Sequence, residues 1–567
     1  MDNFMYFGFI LSFVFCLCEN FSEGRDLEKI KSITKEIEST PNVTLLDVDP
    51  GDSTNRTVVT FVGTPEGAKE AAFKAIKKAA EVLDMSRHSG AHSRIGATDV
   101  CPFVPVSGIT MEDCVKLAHE LAERVARELD IPVYLYEKAA QKPERRNLAN
   151  IRSGEYEGLS EKFKDPEWAP DYGQPVFNPK TGATNIGARE FLIAYNVNLN
   201  TNDRKLAHHI ALNLRERGRA KRDESGNIIR DDNGKAIKVP GKFKEIKAVG
   251  WYIDDYGIAQ ISINFTNYNI SPLHLVFDES IKQAEEIGLR VTGSELVGLV
   301  PKEAMLMAGR HYIKKQGKSP GIPEEELIKT AVLSLGLNDL SEFDVKKKII
   351  EYQFKDVEES LLDLNLREFA NELSMDSPAP GGGSIAALCG AMSASLSCMV
   401  SNLTVGKKGY EDVEEKVKEL AVKAQALKDG FLKDIDLDTL AFNKVMDTFK
   451  MKKKTIEQKE IRAQAIENAT KEATLVPFRV LENCISALEI AKKVAKHGNK
   501  NSLSDAGVAS LTAEAGALGA FYNVKINLPD IEDEGFKSDT QKKASDLLKK
   551  AHLLGAEIKE LLLKELK

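Results

Sequence analysis

Apolar residues recur along this chain with two different periods, and the change of period divides it. From Asn20 to about Arg189, short alternating runs interleave with amphipathic stretches. Leu27 to Thr40 and Pro65 to Val82 read as helices, and Val43 to Val48 and Arg56 to Gly63 as strands. Glu112 to Leu129 is apolar at helical spacing, and Pro132 to Tyr136 returns as a strand. A loop-rich stretch, Trp168 to Gly187, follows; loops of this length inside a domain usually carry function. A second α/β unit reads as strand Glu190 to Asn198, helix Asp203 to Arg217, strands Ala248 to Ile253 and Ile258 to Asn264, and helix Leu273 to Ile287. Inside it, Ser225-Gly226-Asn227 and Asn233-Gly234 mark Asp223 to Gly234 as an exposed hairpin-like insertion, and the run Gly293 to Pro301 closes the unit. Beyond Gln353 to Leu362 the strand signal fades into long helices rich in Ala, Leu, Lys and Glu, which predicts a separate helical domain.

Length sharpens this division. At 567 residues the chain exceeds one hydrophobic core and predicts three or four domains, while 42% hydrophobic and 29% charged residues are ordinary globular values. A net charge of -8 argues against a nucleic-acid partner, although the basic run Lys238 to Lys247 could attract a small anion. Seven scattered cysteines fit reduced thiols rather than a disulfide scaffold, and no Cys/His set has convincing metal spacing: His88 and His92 lack a second ligand pair. His208 and His209 read as helix-face residues. The apolar stretch Phe4 to Cys18 has the length of a signal core, but Asp2 stands where positive charge belongs, so a buried first strand is the favoured reading.

Chemistry concentrates in DMSRHSGAHSRIGATDVCPFVP, Asp84 to Pro105, read as a catalytic loop. A buried strand would not accept His88, His92, Arg87, Arg94 and Asp99 unless each found a partner. His92, between Gly90-Ala91 and Ser93-Arg94, titrates near neutrality and suits proton transfer. Asp47 and Asp49, at alternate positions of a strand end, could each orient its second ring nitrogen. In the helical region, Asp434, Asp436 and Asp438 form D-I-D-L-D; spacings of two cannot share one helix face, and Ala441-Phe442 place Asp438 near the packing side. Burial there would raise its pKa and let it carry protons. The glycine run of Ser377 to Ser384 could bring helix-start N–H groups to a carboxylate or phosphate, or serve only as a flexible helix entry.

Taken together, NFSEGR at Asn20, LLDVDPGDSTNRTVVTFVG at Leu45, the His92 loop, SGEYEGL at Ser153, WAPDYG at Trp168, GSELVGLVP at Gly293, APGGGS at Ala379 and NVKINL at Asn523 resemble the formimidoyltransferase-cyclodeaminase family of folate enzymes, over Asn20 to about Leu563. The resemblance implies an α+β transferase module of two subdomains, ferredoxin-like sandwiches with mixed sheets and helices, then an all-α helical-bundle cyclodeaminase module. The corresponding spans are 1–191, 192–354, a linker 355–362, and 363–567. It implies transfer of the formimino group from N-formimino-L-glutamate to tetrahydrofolate, then closure to 5,10-methenyltetrahydrofolate with loss of ammonia, in histidine degradation. Tetrahydrofolate, polyglutamylated in the family, is the co-substrate, with no metal. His92 becomes the base of transfer, Asp49 its orienting acid, and Asp438 the acid of cyclisation, with Asp436 beside it holding its orientation. The GGGS turn helps to shape a folate pocket. Gly173, Gln174, Pro175, Val176, Phe177, Asn178, Pro179, Lys180, Thr181 and Gly182 match the folate loop, with Phe177 and the prolines flanking the pterin. A cytoplasmic homo-octamer, with Golgi, centriole or cytoskeletal association, is also implied.

The chain departs from the family in three places. Cys16-Leu17-Cys18-Glu19 stands where the family reads E-C-V-P, Ser93 replaces a proline frequent after the catalytic histidine, and Asn55-Arg56-Thr57 forms a glycosylation sequon inside the transferase motif. Two other readings compete: a folate-binding scaffold with weak turnover, which the presence of His92, Asp49 and Asp438 disfavours, and a secreted glycoprotein.

Overall fold

The structure is a computed structural model that describes residues 14–52, 54–90, 93–254, 256–353 and 360–566. Its described residues fall into two compact units, one from 1–305 with 332–356 and the other from 306–331 with 357–567. Residues 306–331, which lie inside the 192–354 span read from the sequence, group with the helical unit.

The first unit opens with β1 (Val14–Phe21), α1 (Leu27–Glu38), β2 (Val43–Gly51), β3 (Arg56–Gly63), α2 (Pro65–Val82), β4 (Thr98–Ser107), α3 (Met111–Leu129), β5 (Val133–Glu137) and β6 (Thr184–Ala188). These strands form a six-stranded sheet in the order β2-β3-β1-β4-β6-β5. β1 is antiparallel to both β3 and β4, and β6 runs parallel to β4 and β5. The described part of the amino-terminal apolar stretch is thus a paired strand. Strand alternation explains the layering. Phe21, Val59, Phe61, Cys101, Phe103 and Ile186 share one core with Ile33, Ala72, Ile76, Leu121 and Val125 of the three helices. On the opposite face Val100 of β4 and Tyr134 and Tyr136 of β5 form a second, smaller cluster with Ile151, Leu159 and Phe163.

The strand β4 corrects the sequence reading. Asp84 to Pro105 is not one long loop: from Thr98 it is a central strand, and Asp99 is fully buried within it. Arg152 and the Ile95 N–H supply the partners that make an aspartate tolerable there.

A second sheet follows: β7 (Ile193–Leu199), α4 (Arg204–Leu214), a short ribbon of β8 (Arg219–Ala220) and β9 (Lys238–Val239), then β10 (Ile246–Ile253), β11 (Ile258–Phe265), α5 (Leu273–Glu286) and β12 (Val291–Val297). Its antiparallel order is β10-β11-β7-β12. The insertion read at 223–234 is an exposed double turn, with Gly226 and Gly234 at positive φ.

The second unit is a bundle of α6 (Gly382–Asn402), α7 (Glu414–Phe449), α8 (Ile456–His497), α9 (Leu503–Asn527) and α10 (Glu534–Glu565). Small residues let these helices approach closely. Ala386, Ala387, Ala391 and Ala394 of α6 pack with Ala509, Ala513, Ala517 and Ala520 of α9, and a methyl group on Gly390 would lie 2.5 Å from the Phe431 ring. The 319–321 turn is tied to this bundle: the Gly321 carbonyl accepts from Asn402 Nδ2 at 2.7 Å.

Candidate functional site

Two sites emerge, one in each unit. His92 lies outside the described residues, so the first is described from the segments that follow and precede it in the chain. Ser93 Oγ donates to Glu155 Oε1 at 3.1 Å, so the residue that replaces the family proline anchors the loop by a hydrogen bond. Arg94, almost fully buried, reaches Glu155 at 3.1 Å and Glu157 at 2.6 Å, and its Nε donates to His88 Nδ1 at 3.2 Å. Because that nitrogen accepts, the other ring nitrogen of His88 carries the proton and donates to the Asn55 carbonyl at 2.8 Å. His88 is therefore a neutral structural bracket.

The 173–182 loop closes against the same segment. Ala97 N donates to Thr181 O and Ala183 N to Ile95 O, and a methyl group on Gly182 would lie 2.2 Å from the Ile95 carbonyl. Gly182 is glycine because the two chains cross there at positive φ. Gly173, Gln174, Pro175, Val176, Pro179 and Lys180 are exposed, Asn178 is half-buried and caps the turn by accepting from Lys180 N, and Thr181 is buried. Phe177 is half-buried, its ring 5.4 Å from that of Tyr156, whose hydroxyl donates to the Pro179 carbonyl at 2.6 Å, so the loop is braced from beneath. The WAPDYG segment acts as a strut: fully buried Arg145 donates to the Glu167 and Ala169 carbonyls and pairs with Asp171, which accepts from Leu135 N of β5.

Asp47 and Asp49 do share one face of β2, opposite Thr60 and Val58. Asp49 is exposed and lies in the field of half-buried Arg56; partial burial and the Asp49 charge raise the Asp47 carboxyl above its ordinary value. The pairing of Asp49 with His92 falls outside the described residues. Asn55, the sequon residue, is buried: its Oδ1 accepts from Gly24 N and its Nδ2 donates to Ser89 O, both at 3.0 Å. An amide so engaged is not a glycan acceptor in the folded chain.

The second site forms where α7 passes the start of α6. Ser384 shares its hydroxyl between Asp438 Oδ2 at 3.2 Å and the Ile435 carbonyl at 3.1 Å. A methyl group on Gly383 would lie 2.1 Å from Asp438 Oδ1. Hence the glycine run does bring a helix start to a carboxylate, the protein's own. Burial raises the Asp438 carboxyl above the usual range; Ser384 opposes this, and the charge of Asp434, one turn earlier, adds to it. Asp434 is buried and paired with Arg479 of α8.

Asp436 points elsewhere. Its oxygens accept from Ser360 Oγ at 2.6 Å and Leu361 N at 2.9 Å, so it anchors the start of the 361–363 turn and does not orient Asp438. Asn523, from the NVKINL segment, lies beside the same helix start: its Nδ2 would be 3.4 Å from a methyl group on Gly382 and donates to the Gly519 carbonyl at 2.9 Å.

Three family models match in order: the formiminotransferase domain, N-terminal subdomain, over residues 13–189; the formiminotransferase domain over 194–355; and formiminotransferase-cyclodeaminase over 365–546. A formimidoyltransferase-cyclodeaminase of Mus musculus is 43% identical over 94% of this chain and 95% of its own length. The chain belongs to the formimidoyltransferase-cyclodeaminase family. A glutamate formimidoyltransferase of Streptococcus pyogenes is 41% identical over 52% of this chain and 91% of its own. Among solved structures, a formiminotetrahydrofolate cyclodeaminase of Thermotoga maritima is 31% identical, covers 37% of this chain and 100% of its own, and has a TM-score of 0.33. Within the family, the two sites described here correspond to separate matched segments, His92 to the first and Asp438 to the last.

Proposed function

We propose that this chain is a bifunctional folate enzyme of histidine degradation, a glutamate formimidoyltransferase joined to a formimidoyltetrahydrofolate cyclodeaminase. The ordered match of three family models, with 43% identity over 94% of the chain, carries this reading.

In the first step the pteridine-ring amine of tetrahydrofolate attacks the formimino carbon. Neutral His92 removes the proton released at that nitrogen, and the imidazolium then protonates the departing glutamate amine. Asp49 favours the charged ring. The loop from Gly173 to Gly182, fastened to residues 95–97, borders this chemistry. In the second step the aryl amine attacks the same carbon and its proton passes to the former imino nitrogen; a second proton, from Asp438, lets that nitrogen leave as ammonia when its bond to the carbon breaks. A raised carboxyl pKa keeps that proton available towards neutral pH.

The co-substrate is tetrahydrofolate, polyglutamylated where the tail spans both sites. The protein works in the cytoplasm as a homo-octamer, with Golgi, centriole or cytoskeletal association. Exposed Val508, Leu511, Tyr522 and Ile526 on α9 support assembly, since apolar side chains grouped along a helix favour burial against another copy. The direct test is absorbance of methenyltetrahydrofolate formed from formiminoglutamate and tetrahydrofolate. A rise requiring both substrates is expected; folate binding without any rise would leave only a scaffold.

A further inference from the structure

The NVKINL segment ends α9, and helical spacing gives each of its residues a face. Val524 and Leu528, four apart, are buried in the core of the bundle. Asn523 and Asn527, also four apart, are half-buried on the neighbouring face, and their amides are used differently. Asn527 Nδ2 donates to the Ala473 carbonyl of α8 at 2.9 Å and so joins two helices. Asn523 Nδ2 donates to the Gly519 carbonyl, one turn back on its own helix, at 2.9 Å. That bond joins no other element, but it fixes which way the amide is turned, since a flipped amide would set Oδ1 against the Gly519 carbonyl oxygen. Oδ1 is left as an acceptor to which no group donates among the described residues.

The backbone beside it is bare. A methyl group on Gly382 would lie 3.4 Å from Asn523 Nδ2 and 3.9 Å from its Oδ1, and one on Gly383 would lie 2.1 Å from Asp438 Oδ1. Ser384 takes up Asp438 Oδ2, which leaves Oδ1 to face the glycines. The start of α6 therefore lies between a carboxyl on α7, which can give a proton, and an amide oxygen on α9, which can only accept. Ring closure asks for this polarity. The former imino nitrogen must gain a proton to depart, whereas the attacking aryl amine bears an N–H that needs an acceptor while its lone pair turns to the carbon. An amide oxygen is too weak a base to remove that proton outright, so the proton stays free to pass to the former imino nitrogen once the new carbon–nitrogen bond has formed.

We propose that Asn523 Oδ1 accepts from the aryl amine N–H of 5-formiminotetrahydrofolate and aims that nitrogen at the formimino carbon, while Asp438 meets the departing nitrogen from the other side of Gly382 and Gly383. The assignment rests on the reading of the helical unit as a cyclodeaminase. Asn523 is then a specificity residue, favouring folates whose aryl amine is free over those in which it is substituted. It also accounts for Gly382, which Asp438 does not: a side chain there would stand against the amide.

Two substitutions separate contact from support. Asn523→Ser keeps a hydroxyl that bonds the carbonyl one turn back, as Ser395 and Ser401 do on α6 at 2.8 Å and 2.9 Å, but withdraws the acceptor. Asn523→Asp keeps an acceptor at the same reach and gives up the bond to Gly519. In the full-length chain, cyclisation of supplied 5-formiminotetrahydrofolate is inhibited with 5-formyltetrahydrofolate, whose aryl amine is free, and with its 10-methyl derivative. The wild type should bind the free amine about tenfold more tightly than the methylated one. Asn523→Ser should lose that preference together with about tenfold in kcat, Asn523→Asp should keep the preference, and formimino transfer should be unchanged in both. Equal inhibition of the wild type by the two folates, or a preference that survives in Asn523→Ser and vanishes in Asn523→Asp, would overturn the contact. A wild type that shows the Asn523-dependent preference in calorimetric binding but cyclises nothing would instead remove the cyclodeaminase reading and leave the contact standing.

Discussion

The two units place their acids in opposite ways. In the α/β unit, ionised and polar groups lie within or beneath a sheet and are fixed by partners far along the chain: Asp99 by Arg152, Asp171 by Arg145, and Arg94 by Glu155 and Glu157. In the helical unit the core is built largely of alanine and other aliphatic residues, and the acid that matters sits at a helix start, held by one serine and one glycine. A loop-and-sheet site thus spreads its support over many ion pairs, whereas a helix-end site concentrates it in a single turn. The second should be far more sensitive to the loss of one small group.

Gly383→Ala gives the largest effect expected from so small a change. An added methyl group 2.1 Å from Asp438 Oδ1 must displace the carboxyl, while alanine itself favours the helix. Cyclisation of supplied 5-formiminotetrahydrofolate should fall by roughly 100-fold or more, a typical loss for a general acid, with transfer intact and helix content unchanged by circular dichroism. Retained cyclisation would mean that the site tolerates a moved carboxyl.

Ser384→Ala sharpens the same point with a smaller loss, about tenfold in kcat. Asp434, held by Arg479 from α8, is the charged group facing Asp438. Removing the hydroxyl takes away a donor to the ionised form, so the Asp438 pKa rises further, and the alkaline limb of the cyclisation profile should move to higher pH. An unmoved limb would assign Ser384 to packing alone.

Glu19 breaks the pattern of the α/β unit. It is fully buried, accepts from Cys101 Sγ at 3.0 Å, leaves its other oxygen without a partner, and is pushed up to about 8. With the folded-state value above the unfolded one, the folded chain holds the extra proton between about pH 4.5 and 8. Stability contributed by protonated Glu19 is therefore complete at low pH and is lost as pH rises through that window. Glu19→Gln should flatten this decline and raise the melting temperature at pH 8 by a few degrees, with little change at pH 5. An equal shift at both values would rule out the carboxyl as the cause.

Much of this architecture was legible from periodicity. Arg56–Gly63 and Pro65–Val82 form over the ranges read, and a spacing of two, which shares a face on a strand but not on a helix, correctly put Asp47 with Asp49 and separated Asp436 from Asp438. The strand beginning at Thr98 was hidden because Asp99 obeys no alternation rule until Arg152, 53 residues later, is known to meet it. The brace under the 173–182 loop was hidden for a related reason: nothing in the spacing of Tyr156 and Phe177 shows that their rings meet. The support for Asp438 was only half visible, since a Gly-Gly-Gly-Ser turn signals a helix start without naming the carboxylate that will occupy it.

The separation of the two chemistries is tested most directly by assaying each half-reaction on His92→Ala and Asp438→Ala in the intact chain. The account predicts that His92→Ala loses formimino transfer by roughly 100- to 10,000-fold while still cyclising supplied 5-formiminotetrahydrofolate, and that Asp438→Ala does the reverse. Loss of both activities in either variant, with assembly unchanged, would contradict it.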